Sequence, residues 1–224
     1  MTDQGNNPVI DTSKPHSARM YDYYLGGKTH YEVDVQAAEA VIATVPFAGA
    51  MARANRDFMI RATRTLVEDY GIRQFLDIGS GIPTQPNLHQ VAQGIAPESR
   101  VVYTDNDPIV LQYAQALLHS TPEGRTAYLQ ARLAPGSFLC LSHATTDVGD
   151  PELAALGRRV EEIYSRGGTT LRLRDSAEIA RFFHGLELID PGITMAHHWR
   201  PDAGTETELK DGEPSMFAGV ARKP

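Results

Sequence analysis

Two stretches constrain this chain's fold more than any others: residues 75–84, "FLDIGSGIPT", and residues 101–107, "VVYTDND". Each is a short apolar run ending in a carboxylate, Asp77 in the first and Asp105 in the second. "RQFLDIG" and "RVVYTDND" predict two strands, with a helical pattern, "TQPNLHQVAQGIA", between them. A second helical stretch, "PIVLQYAQALLHS", opens on Pro108, a residue suited to a first helical turn, and leads to a third strand pattern, "TAYLQA". Strands alternating with helices at this spacing imply a doubly wound α/β fold, with a mostly parallel sheet and crossover helices. Such sheets bind ligands beyond the carboxyl ends of their strands, where both carboxylates fall.

The loop after the first strand narrows the ligand. Gly79 and Gly81 allow a tight turn and close approach of a ligand to the backbone. A dinucleotide fingerprint would place a third glycine at position 84, but Thr84 stands there, preceded by Pro83. Proline removes a backbone donor of the kind that holds a pyrophosphate. Asp77 would repel a phosphate and suits a cation or an ammonium group. S-adenosylmethionine (SAM) carries both a sulfonium and an α-amino group, so the loop favours it over a diphosphate. Asp105, which follows Gly79 by 26 residues, can accept hydrogen bonds from two ribose hydroxyls. Asp107 lies two residues further on. The blander readings are that the glycines only turn the chain and that Asp107 only caps a helix before Pro108.

The remainder reads as one domain, residues 18–224, behind a flexible arm of residues 1–17. Residues 18–70 form an N-terminal helical cap. In it, "ARMYDYYLGGKTHYEVD" turns at Gly26-Gly27 between two helical pieces, and "DVQAAEAVIATV" is a helical pattern. "GAMARANRDFMIRATRTLVEDYG" is a longer helix with an apolar stripe at Ala54, Phe58, Ala62 and Leu66. Arg19, Tyr21, Tyr24 and Lys28 are candidates for a lid over a cofactor or substrate; the alternative is a helix pair with core tyrosines. Downstream, "APGSFLCLSHAT" predicts a strand with His143 at its end, a candidate substrate contact or base. "PELAALGRRVEEIYSR" and "DSAEIARFFHG" predict helices. "LELIDPGITMAHHW" and "SMFAGVARKP" predict an antiparallel closing pair of strands. His197 and His198 would then point to opposite faces and make a poor chelate. No zinc or hydrolase motif occurs, so no metal is expected.

The net charge of −7 argues against nucleic-acid or anionic-membrane partners. No apolar stretch reaches the ~18 residues of a membrane helix, and the N-terminus lacks an apolar signal core. A cytoplasmic location is expected. Cys140, the single cysteine, lies in an apolar run and is expected to be a buried thiol.

The stretches "RMYDYYLGGKTHY", "LDIGSGIPTQPNLHQVAQ", "RVVYTDNDPIVLQYAQALL" and "LAPGSFLCLSHAT" resemble an actinobacterial family of class I, Rossmann-like SAM-dependent methyltransferases, formerly classed as a domain of unknown function. The resemblance runs from about Asp11 to Lys223. It implies that Asp77, Gly79 and Gly81 form the loop beside the methionine part of SAM, with Ser80, Pro83 and Thr84 completing it. It also implies that Asp105 holds the ribose and Asn106 lies beside the adenine, with Asp107 next to it. S-adenosylhomocysteine would be the product.

One join departs from that pattern. Only Arg132 to Ser137 separate "TAYLQA" from "FLCLSHAT", too few for a parallel crossover, which needs a dozen residues or more. The resemblance implies an acidic residue, a helix, a central strand and another helix at this point; Arg132 stands where the acid belongs. Either a segment is missing between Ala131 and Arg132, or the sheet rearranges around a slot with unpaired backbone groups. Three functions follow in order. The first is a SAM-dependent methyltransferase acting on a small-molecule acceptor, its catalytic residue unassigned. The second is a catalytically impaired SAM-binding or interaction protein with the same fold. The third, disfavoured by Asp77, Pro83 and Thr84, is an NAD-dependent oxidoreductase. The state of assembly is left open, a homodimer among the options.

Overall fold

The computed structural model describes residues 11–105, 110, 125–127, 134–145, 147, 151–168, 170–204, 207–209 and 216–224. Asn106, Asp107, most of the expected helix from Pro108, and the Ala131–Arg132 join lie outside the described residues. So do residues 1–10 of the expected arm.

Three helices open the chain. Helix α1 (Ser17–Tyr24) and α2 (Glu32–Thr44) flank the Gly26-Gly27 turn, and α3 (Ala48–Glu68) follows. Met20, Tyr24, Ala38, Val41 and Ala52 bury their side chains together. Val160, Ile163 and Tyr164 of helix α5 (Pro151–Arg166) pack against them. Of the expected stripe on α3, Phe58, Ala62 and Leu66 join Trp199, Ala218 and Val220 in one apolar cluster, and Ala54 is buried outside it.

Strands β1 (Gln74–Ile78), β2 (Arg100–Thr104) and β3 (Arg125–Ala127) form a parallel sheet in that order. Asp77 lies opposite Tyr103, and Ile78 opposite Thr104. Between β1 and β2 runs helix α4 (Leu88–Ile95), capped by Asn87, whose backbone N–H donates to Gln90 Oε1 at 2.7 Å. This half follows the sequence expectation.

The second half corrects it. Strand β4 (Phe138–Ala144) pairs antiparallel with β7 (Met216–Arg222). Helix α6 (Ser176–Ala180) continues into a 3₁₀ turn, Arg181–Phe183. The expected long strand at 186–199 breaks into two short pieces, β5 (Glu187–Leu188) and β6 (Thr194–Met195), each antiparallel to β7. His197 and His198 sit in a 3₁₀ turn, Ala196–His198, rather than in a strand. Among the described residues the strands form a three-stranded parallel sheet and a four-stranded antiparallel sheet, without a ladder that joins them into one doubly wound sheet.

Among the described residues no ladder joins β1 to β4, and each is the terminal strand of its own sheet. Ile78 is 77% exposed although it belongs to an apolar strand. Cys140 is exposed as well, correcting the expected burial. Surrounding protein pushes its thiol up to about 12, and the Asp77 carboxylate adds to that. Asp77 lies within electrostatic reach of the thiol. No single helix among the described residues is long and apolar enough to cross a membrane.

Candidate functional site

Strand β1 delivers Asp77 to the carboxyl edge of the parallel sheet, and β2 delivers Asp105 beside it. Backbone bonds lock the two strand ends together. Gly79 N–H donates to the Thr104 carbonyl at 2.7 Å, and Ser80 N–H donates to the same oxygen at 3.3 Å. The Thr104 hydroxyl donates to the Asp77 carbonyl at 3.3 Å. Gly81 N–H donates to Asp105 Oδ2 at 2.9 Å. The carboxylate expected to meet a ribose thus also shapes the glycine loop.

Gly79 and Gly81 have φ of 70° and 63°, which L side chains rarely adopt. A Cβ built on either meets nothing within 4 Å among the described residues. The loop therefore borders open space that side chains would fill. Beyond it, the Thr84 hydroxyl donates to the Ile82 carbonyl at 3.3 Å, and the Gln85-Pro86 peptide is cis. The Tyr103 hydroxyl lies 2.9 Å from both the His89 backbone N and Nδ1, fixing the first turn of α4 to β2.

Burial pushes the Asp77 carboxyl up to about 6; Arg56 opposes the shift and Asp105 adds to it. Arg56 is the residue that sequence reasoning missed. It projects from the middle of α3 and donates through Nη2 to the Thr84 carbonyl and, at 2.8 Å, to the Pro86 carbonyl. Only the packing of α3 over the loop reveals it; "ARANRDF" reads in sequence as an ordinary polar helix face. Burial lowers the Arg56 guanidinium's proton affinity, with Tyr21, Asp77 and Tyr103 acting in the opposite direction.

The other expected site residues divide. Asp77, Gly79, Ser80, Gly81, Pro83, Thr84 and Asp105 come together in this one region. Tyr21 approaches it through Arg56; its hydroxyl donates to the Ala52 carbonyl at 3.1 Å and accepts from Asn55 Nδ2 at 3.0 Å. Arg19 is fully buried. Its Nε donates to Asp34 Oδ2 at 2.7 Å and its Nη2 to the Lys14 carbonyl at 2.6 Å. Tyr24 is buried in the cap and Lys28 is exposed. His143 donates from Nδ1 to the Ala144 carbonyl at 2.7 Å, while Nε2 accepts from Arg174. Both ring nitrogens are thereby engaged, and the ring stacks on Phe182.

A glycine loop between two strand-end carboxylates, on parallel strands, defines an α/β protein that binds a nucleoside-type ligand. The chain belongs to the S-adenosyl methyltransferase family, whose model matches residues 3–134 and 129–224. The two matched pieces meet at 129–134, where the sequence departs from its expected pattern. A crystal structure of a DUF574 family protein from Streptomyces avermitilis is 42% identical, with a TM-score of 0.87, covering 96% of this chain and 100% of that one. A candidate methyltransferase from Thermobifida fusca is 32% identical, with a TM-score of 0.83, covering 96% of this chain and 97% of that one. No curated protein matches. The site fits the family's cofactor: an acid for an ammonium, an acid for a ribose, and open space above a bare turn.

Proposed function

We propose that the protein transfers a methyl group from SAM to a small-molecule acceptor. The observation that carries this reading is the Asp105–Gly81 bond beside Asp77: two carboxylates flank a loop whose glycines face open space. When bound, the cofactor supplies an electrophilic methyl carbon on a sulfonium. The chain's own residues bind and orient. Asp77 accepts from the α-ammonium group, Asp105 from the ribose hydroxyls, and the turn at Gly79 and Gly81 lets the ligand lie close. No side chain is assigned as base, and none is required for an acceptor that is already nucleophilic. Tyr21 and the α1–α2 cap are proposed to border the acceptor side, and His143 to orient Arg174 there.

The alternative is a protein that binds SAM without turning it over. Titration calorimetry with SAM, S-adenosylhomocysteine and NAD tests the class. SAM and S-adenosylhomocysteine should bind and NAD should not; NAD affinity without SAM affinity would overturn the assignment. Formation of S-adenosylhomocysteine with small nucleophilic acceptors then separates the enzyme from the binder.

A further inference from the structure

We propose that Arg56 is the positioning residue for the α-carboxylate of the cofactor's amino-acid tail, an inference that rests on the reading above. Its guanidinium is anchored at one nitrogen only: Nη2 holds the Thr84 and Pro86 carbonyls. Nε is buried and has no hydrogen-bond partner. Nη1 makes no hydrogen bond among the described residues. A charged donor left unmade inside a protein is costly, and natural structures satisfy such groups with protein, water or ligand.

The placement says what the partner is. Arg56 and Asp77 each alter the other's ionisation, so they face the same region. They nevertheless form no ion pair with each other. Two opposite charges held apart beside one glycine loop fit a zwitterion placed between them, with its ammonium on Asp77 and its carboxylate on Arg56. A planar guanidinium suits a carboxylate better than an ammonium side chain would. A purely structural account explains the two carbonyl contacts but leaves the remaining donors without a purpose.

The test compares S-adenosylhomocysteine with 5′-methylthioadenosine, which keeps the adenosine and thioether but lacks the amino-acid tail. Titration calorimetry of wild type and Arg56→Gln is expected to show S-adenosylhomocysteine weakened 10-fold or more. The affinity for 5′-methylthioadenosine should stay within about twofold. Parallel loss on both ligands would make Arg56 a loop tie and overturn the proposal, as would no loss on either. A second arm needs no variant: wild-type protein should bind the primary carboxamide of S-adenosylhomocysteine at least 10-fold more weakly than the acid, and equal affinity overturns the proposal. Failure of wild type to bind S-adenosylhomocysteine at all would instead sink the methyltransferase reading, and this proposal with it.

Discussion

Asp77 is held at a strand end where burial makes its charge costly. Its carboxyl titrates near 6 in the folded chain against 3.8 for an ordinary aspartate. The folded state therefore binds more protons than the unfolded state between these values, and stability falls as pH rises through that window. Asp77→Asn removes the penalty. It should stabilise the protein by about 1–2 kcal/mol at pH 7, less than the full shift because the site is half open. The gain should shrink to nothing below about pH 4; urea denaturation at several pH values reads it. Binding should move the other way. SAM affinity of the wild type should weaken as pH drops below about 6, when the carboxylate that meets the ammonium becomes neutral, and Asp77→Asn should bind weakly at every pH. Asp105→Ala has a different signature. It strands the Gly81 amide, so it should weaken SAM by roughly 1–3 kcal/mol with little pH dependence, as calorimetry would show. Both carboxylates were legible in the sequence because strand ends and glycines mark them. Arg56 was not, because its role depends on a helix packing against a loop about 28 residues away in sequence, and no local pattern encodes that.

At the scale of elements, buried polar contacts hold the "YDYYLGGK" segment in place. Asp22 accepts from Thr29 N–H at 2.8 Å and from His30 Nδ1 at 2.9 Å. A Cβ on Gly27 would lie 2.1 Å from Asp22 Oδ1. Gly27→Ala should therefore push the carboxylate out of its bonds and cost about 1–3 kcal/mol. Asp34 accepts from Arg19 Nε, from His16 N–H and from Tyr31 N–H, so it ties three segments together with no solvent access. Arg19→Ala leaves that carboxylate buried and uncompensated, with an expected loss of about 3–5 kcal/mol. Thermal unfolding of both variants, with SAM affinity measured on the folded fraction, separates architecture from binding: stability should fall while affinity stays near wild type. The helices α1 to α4 and strands β1 and β2 were readable from periodicity and turn residues. The pieces β5 and β6 were not. Each is two residues long and exists only by pairing with β7, so the partner, not the local pattern, decides it.

At the scale of the whole molecule, the described strands form two sheets that share no ladder among the described residues. Their central strands are well buried: Val101 and Tyr103 in β2 and Ala218, Val220 and Ala221 in β7 are nearly inaccessible. Neither β1 nor β4 buries a single side chain to that degree. The short join was visible in the sequence; the antiparallel partner that β4 adopts was not, because a long-range pairing leaves no local trace. Strands with one open edge and half-covered side chains should open locally at lower free energy than the strands behind them. Amide exchange across residues 74–78 and 138–144 should run at least about 100-fold faster than across 100–104 and 216–222, equivalent to about 2.7 kcal/mol in opening free energy. Exchange mass spectrometry on peptides covering these four strands measures it. Saturating SAM at about 100 times its Kd should add about 2.7 kcal/mol to any unit that holds it. Because the loop and both carboxylates belong to β1 and β2, the added protection should appear there and leave β4 unchanged. Protection of β4 to the same degree would mean that the two sheets open as one, and that the gap between them is mechanically closed when the cofactor is in place.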